Sequence, residues 1–355
     1  MTPAFPAGPD DITPLWLNEV LSGSGFPTIR NVELERLGEA DSLTGFVFRV
    51  RLTFDGEADA ARSVVVKLPA APERRSARMR GWYAAEVRFY RQLAANIGLT
   101  VPRAFHAQID EATADYVLVL EDFPELTPGE NVRGATPAQA RVVMRMMAGL
   151  HAQWWERAEL RGYDFLGDDG GEWVEGIAAL LPDRVPVFLD HFGDAIGPAD
   201  RAIYERLPSA FATAVEPLSR PPLTLIHRDF SIKNTLVGGS RDAPQFVVID
   251  WQRCSVGRGV RDVSFFFENS VHGGWSEKFE LLLLYHQALG EHGVRNYDFD
   301  QLKDDHRRSA LCDMAQGVVM WTTERSPQAE SVIRNQLRGI ADAAEQLKLR
   351  EVLSA

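Results

Sequence analysis

The stretch His227-Arg228-Asp229-Phe230-Ser231-Ile232-Lys233-Asn234, followed by Val248-Ile249-Asp250-Trp251, constrains this chain more than any other. An apolar run from Leu223 to Ile226 leads into His227, and a second run from Phe246 to Ile249 delivers Asp250. Short apolar runs of this kind read as buried strands. Two strand ends thus present two carboxylates, with the Asn234 amide five residues after Asp229. That set suits phosphoryl transfer. One carboxylate can orient a hydroxyl and take its proton, and the remaining oxygens can hold Mg²⁺ on a triphosphate. Either aspartate alone would pass for an ordinary turn residue.

Composition narrows the field. The chain has 355 residues, 45% of them hydrophobic, which is enough for a sizeable core. A formal charge of −12 argues against a nucleic-acid partner, which demands a basic face. Cys254 and Cys312 lie far apart without metal-ligand spacing, so the expected compartment is a reducing cytoplasm rather than a disulfide-forming one. Residues 1–10 have neither the basic nor the apolar region of a signal peptide. No apolar run reaches the roughly 18 residues of a membrane span. No membrane partner and no obligate protein partner is implied.

Upstream, Asp11 to Leu21 reads as a short amphipathic helix packing on the back of a first domain, and Val32 to Leu37 as a strand. Phe46 to Phe54 alternates strictly, so the small-residue segment before it, including Ser42, Thr44 and Gly45, is a hairpin tip. Ala61 to Leu68 is a further strand carrying Lys67 near its end. Gly81 to Leu93 is a helix with Trp82, Ala85, Phe89 and Leu93 at three- and four-residue steps. Glu86 sits among them, so its carboxylate points inward and needs a cation. Lys67 is the favoured partner, with Arg88 and Arg91 of the same helix as competitors. Tyr116 to Leu120 is a strand that Glu121-Asp122-Phe123-Pro124 breaks.

Together these residues resemble the aminoglycoside-phosphotransferase and choline-kinase-like superfamily, which shares the protein-kinase-like fold. The loop matches H-R-D-x-x-x-x-N with a following Asp, and Val64-Val65-Val66-Lys67 resembles V-A-I-K. Asp250-Trp251-Gln252 and Gly257-Arg258-Gly259-Val260-Arg261-Asp262 resemble the ecdysteroid-kinase-like branch. The resemblance implies a bilobal α+β fold: a small antiparallel-sheet N-lobe over residues 1–122, and a larger, mainly helical C-lobe over 123–355. ATP and Mg²⁺ are the implied cofactors, with nucleotide in the cleft. Lys67, fixed by Glu86, would hold the α and β phosphates, and the tip with Ser42, Thr44 and Gly45 would cover them. Glu121 would lie at the hinge, where it or Asp122 could face the ribose. Asn234 and Asp250 would bind the metal, and Asp229 would be the catalytic base. His227 and Asp262 would brace the loop.

The rest reads as mainly helical. Thr136-Pro137 opens a helix running to about Ala158, with His151 as a structural histidine beside its methionine stripe. Residues 162–198 are the least regular part; the resemblance places their acidic and aromatic residues, among them Asp168, Asp169 and Trp173, near the acceptor, and a helical lid without direct contacts is the open alternative. Helices follow at Ala199–Val215, Glu277–Leu289, Gln301–Thr322 and Gln328–Leu347, with Trp275 and Trp321 as candidate acceptor-side aromatics. The expected activity is transfer of a γ-phosphate to a hydroxyl of a small, fairly apolar molecule. An aminoglycoside-type antibiotic kinase and a nucleotide-binding pseudokinase regulator are the alternatives. A protein kinase is disfavoured, because 250–262 is too short for an activation segment that would engage Arg228.

Overall fold

Alternation along the strands dictates the first layer. In a computed structural model, the described residues are 4–354 except 39–44, 57–59, 132, 241–243, 326–329, 332, 335 and 338–343. They divide into two compact units, Met1–Thr127 with Phe246–Arg253, and Pro128–Gln245 with Cys254–Ala355. The segment around Asp250 therefore packs with the first unit.

The first unit is a five-stranded antiparallel sheet in the order β1-β2-β3-β5-β4, formed by β1 (Ile29–Leu37), β2 (Phe46–Phe54), β3 (Ser63–Leu68), β4 (Ala104–Asp110) and β5 (Asp115–Glu121). Phe48, Val50, Leu52 and Phe54 of β2 and Val64, Val66 and Leu68 of β3 share one buried face. Helix α1 (Pro14–Val20) covers it with Trp16, Leu17 and Val20. Each such side chain contributes about 1.5–3 kcal/mol of burial. The Thr13 hydroxyl caps α1 by accepting from the Trp16 N–H at 3.2 Å.

Helix α2 spans Ala77–Gln92 and begins four residues before the expected Gly81. Ser76 is its N-cap, and Gly81 lies inside the helix on a face with nothing near it. The edge strand β4 was not foreseen. Most of its positions are half-buried, so its sequence lacks the alternation that marks β2.

The second unit is mainly helical: α3 (Pro137–Gln153), α4 (Gly171–His191), α5 (Pro198–Val215), α6 (Val260–Ser270), α7 (Trp275–Glu291) and α8 (Phe299–Glu324). A capping box between Thr136 and Gln139 starts α3. It ends five residues before the expected Ala158, because Glu156 takes a φ of 53° and gives its N–H to the Leu223 carbonyl.

The segment 162–198 is not irregular, since 21 of its residues form α4. Pro182 and Pro186 sit on the exposed face of that helix, while Ile177, Leu181, Val185, Phe188 and Leu189 are buried against α5 and α8. Packing of this stripe outweighs a cost of about 3 kcal/mol per interior proline. Trp321 belongs to the same core, 3% exposed and edge-on to Phe192, so it is not an acceptor-side residue. Trp275 stacks on His306 at 5.9 Å. Half of the expected helix Gln328–Leu347 lies outside the described residues, and 330–331, 333–334, 336–337 and 344–346 are helical. Among the described residues, no helix is long and apolar enough to cross a membrane.

Candidate active site

In the first unit, strand alternation sends Val64, Val66 and Leu68 to the core and Lys67 to the opposite face. The Lys67 ammonium meets both carboxylate oxygens of Glu86, at 2.6 and 2.7 Å, and Asp250 Oδ1 at 3.3 Å. Glu86 is 1% exposed. Its competitors are engaged elsewhere, Arg88 with Glu111 and Arg91 with the Ala107 carbonyl. Burial lowers the Lys67 pKa, but the charges of Glu86 and Asp250 outweigh it and hold the ammonium well above its usual range. Burial likewise pushes the Glu86 carboxyl up, against the pull of Lys67.

Each residue of the Asp250-Trp251-Gln252 triplet has a physical task. Asp250 sits at φ 66°, a left-handed conformation rare outside glycine. Trp251 is fully buried and stacks on Phe89 of α2 at 4.3 Å with an interplanar angle of 4°, which ties Asp250 to the helix carrying Glu86. The Gln252 amide donates to Asp250 Oδ2 at 3.2 Å and so orients the carboxylate.

Gly45 has φ 136°, and a Cβ there would stand 2.3 Å from the Leu68 carbonyl oxygen. The backbone thus folds tightly against the end of the lysine strand, an approach only glycine permits. Ser42 and Thr44 lie outside the described residues. Glu121 uses its carboxylate to accept from the Arg103 N–H at 3.2 Å. Asp122 accepts a two-pronged contact from Arg49 at 2.7 and 3.0 Å and a hydrogen bond from Ser63 at 2.6 Å, which removes it as a ribose ligand.

In the second unit, the buried strand Thr224–Ile226 runs into the His227 loop. Asp262, fully buried near the start of α6, accepts from the backbone N–H groups of His227 at 2.8 Å and Arg228 at 2.6 Å. His151 Nε2 lies 3.3 Å from the same carboxylate, and its Nδ1 meets the Tyr285 hydroxyl at 2.8 Å. Burial pushes Asp262 up, but the His151 contact, the His227 charge and the His227 N–H together hold it below the usual carboxylate range. Within the loop, the Asp229 N–H donates to His227 Nδ1 at 3.3 Å, and the Asn234 amide nitrogen donates to the Asp229 carbonyl at 2.8 Å. That bond commits the NH₂ end of Asn234 and leaves its oxygen as the end suited to a metal.

Gly259, in the Gly257–Asp262 segment, is explained by the same network. A Cβ there would fall 2.6 Å from the Tyr285 hydroxyl and 2.8 Å from His151 Nδ1.

The sequence reading missed one cluster. Asp169 pairs with Arg228 and with Arg261, the latter at 2.7 Å, and Arg261 also reaches Asp313 at 3.2 Å. Trp173 lies under both guanidinium groups, 4.4 Å from Arg228 and 5.3 Å from Arg261. Asp169 and Trp173 are therefore bound to Arg228 of the His227 loop and do not form an open wall for an acceptor. The available signal was Arg228 itself, since a guanidinium in a loop between buried strands needs an anion.

The donor set fits a magnesium nucleotide. Within the first unit, Asp250 offers hard carboxylate oxygens beside Lys67, a fixed cation suited to phosphate. Among the described residues no group of three or more His, Cys, Asp or Glu is arranged to hold a metal. A Mg²⁺ that arrives on ATP takes only one or two protein ligands beside phosphate and water.

Known structures share this architecture. The GDP complex of wild-type aminoglycoside 2'-phosphotransferase-IIIa aligns at a TM-score of 0.59 and 15% identity, over 94% of this chain and 99% of that one. The microcompartment-associated aminopropanol kinase aligns at 0.58 and 16%, over 95% and 99%. Choline kinase from Cryptosporidium parvum aligns at 0.57 and 13%, over 91% and 94%. At these identities the likeness is one of fold, a bilobal α+β protein-kinase-like fold. No curated protein sequence matches the chain. The sequence matches the phosphotransferase enzyme family over residues 48–298, well over half its length, and the chain belongs to that family.

Proposed function

We propose that this protein transfers the γ-phosphoryl group of ATP to a hydroxyl of a small molecule. The observation that carries this reading is Lys67, held between Glu86 and Asp250 with both carboxylates on its ammonium. A lysine held in this way is a fixed positive charge for the α and β phosphates. Asp250 in the first unit and the Asn234 oxygen in the second are the ligands that would hold Mg²⁺, which would supply positive charge for the phosphates. Asp229 orients the acceptor hydroxyl and takes its proton as the new P–O bond forms. The γ-phosphorus–oxygen bond to ADP breaks in the same step. His227 and Asp262 hold the loop in shape.

The acceptor we propose is hydroxylated and fairly apolar. The resemblance of Asp250-Trp251-Gln252 to small-molecule kinases of the ecdysteroid-kinase type supports this. A polycationic acceptor would need free carboxylates, and the buried acid of the segment before α4, Asp169, is already neutralised by two arginines. A screen of hydroxylated metabolites with Mg²⁺–ATP, and with Mg²⁺–GTP in parallel, tests the reading through nucleoside-diphosphate release and product mass. The expected hit is an uncharged or singly charged alcohol. A polycationic aminoglycoside as the best acceptor would overturn the acceptor class, and the absence of any transfer would overturn the activity.

A further inference from the structure

Arg228 is held at three points. Its φ is 66°, a conformation that a non-glycine residue keeps only when its surroundings over-determine it. Its N–H is fixed by Asp262. Its guanidinium meets Asp169 and lies 4.4 Å over Trp173. Asp169 in turn takes Arg261 at 2.7 Å, and Arg261 reaches Asp313 and the Ser309 carbonyl, both at 3.2 Å. The Asp169, Arg261 and Asp313 side chains are each no more than 4% exposed.

Asp169 is itself rigidly placed. Its N–H donates to the Val256 carbonyl at 3.0 Å, and Asp168 Oδ1 accepts from the Gly170 N–H at 2.8 Å. Gly167–Asp168 pairs in parallel with Ser255–Val256. The same short strand, Ser255–Gly257, pairs antiparallel with Thr224–Ile226, whose end is His227. One three-residue strand thus sets the spacing between the carboxylate and the arginine of the loop. Gly257 permits the approach, because a Cβ there would stand 2.9 Å from Asp169 Cβ and 2.7 Å from Ile226 Cδ1.

We propose that Asp169 is a positioning residue for phosphoryl transfer: through Arg228 it holds the backbone of Asp229 in its working turn, without an added phosphate. A buried guanidinium beside the catalytic aspartate needs an anion. This fold supplies a resident carboxylate, so the loop is set on folding and stays set. The inference rests on the reading of Asp229 as the group that faces the acceptor, but its effect on the loop does not require turnover to be seen.

Three variants test it: Asp169→Asn, Gly257→Ala and Asp305→Asn. The last removes a comparable buried pair, Arg258–Asp305 at 3.1 Å, that does not touch Arg228. Amide hydrogen exchange over 223–235 reads the loop directly. Nucleoside-diphosphate release at varied Mg²⁺–ATP separates kcat from KM. Asp169→Asn and Gly257→Ala are expected to speed exchange at 227–230 by about tenfold or more. They are expected to lower kcat on the order of 10²-fold, with KM for ATP changed less than about threefold. Asp305→Asn should do neither. Gly257→Ala, made in an Ile226→Val background that relieves the 2.7 Å contact with Cδ1, displaces Asp169 without removing its charge, and carries the test if Asp169→Asn does not fold. Unchanged exchange at the loop overturns the proposal, as does an equal effect from Asp305→Asn. A wild-type protein without turnover defeats the functional reading, and the exchange measurement then decides the role of Asp169 by itself.

Discussion

Replacing Glu86 by Gln keeps the shape of the side chain and removes its charge. Lys67 then loses two charge-assisted contacts, at 2.6 and 2.7 Å, and faces an amide that offers one oxygen and one like-polarity NH₂. Breaking a buried ion pair costs about 3–5 kcal/mol when the surviving charge has no other partner. Lys67 does have one, Asp250 at 3.3 Å, and 15% of its side chain is exposed. The expected loss is therefore smaller, about 1.5–3 kcal/mol, the range for hydrogen bonds to charged groups. If the lysine collapses onto Asp250, the carboxylate competes with the phosphates for the ammonium, and the ammonium competes with a metal for the carboxylate. Nucleotide affinity should accordingly fall by about 10- to 100-fold, at 1.4 kcal/mol per decade. Titration calorimetry with Mg²⁺–ATP and urea unfolding read the two effects. Arg88→Ala is the control, because its contact with Glu111 is a surface pair worth about 0–1 kcal/mol. Wild-type affinity and stability in Glu86→Gln would refute the reasoning, and so would an equal loss in Arg88→Ala.

Three further outcomes follow from the same geometry. Burial lowers the His306 pKa to about 3, so the folded protein keeps this ring neutral while the unfolded chain takes up a proton below about pH 6.5. Stability should thus fall as pH drops through that window, by up to about 2 kcal/mol between pH 6.5 and 5 from this group, and urea unfolding of His306→Gln should show a shallower slope. Asp262→Ala strips the acceptor from two loop N–H groups and from His151, and should cost about 3–5 kcal/mol of unfolding free energy with loss of turnover. Gly45→Ala forces a Cβ to within 2.3 Å of a backbone oxygen, and should raise KM for ATP while a neutral exposed glycine such as Gly81→Ala leaves it unchanged.

How much of this was legible in the sequence differs from residue to residue. Strand alternation put Lys67 on the face opposite Val64 and Val66, and helical periodicity turned Glu86 inward, so their meeting followed from two local patterns and one electrostatic demand. The spacing of Asp229 and Asn234 likewise survives as a hydrogen bond inside one short loop. A helical lid over 162–198 was one of two readings, but the bounds of α4 were not legible, because Pro182 and Pro186 are local breakers that only the long-range burial of Leu181, Val185 and Phe188 overrides. The Asp169–Arg228 pair joins residues 59 positions apart through a strand of three residues, too short to carry a periodic signal. Asp122 looked like a free turn carboxylate because nothing local announces Arg49 as its partner across the sheet.

If Asp229 does the chemistry and Lys67 with Asp250 holds the nucleotide, the two functions separate in one variant. With the best acceptor in hand, turnover and Mg²⁺–ATP affinity of Asp229→Ala are measured on the same preparation. kcat is expected to fall by about 10²–10⁴-fold, the contribution of a positioned base, while nucleotide affinity changes little. Near wild-type turnover in Asp229→Ala would contradict it.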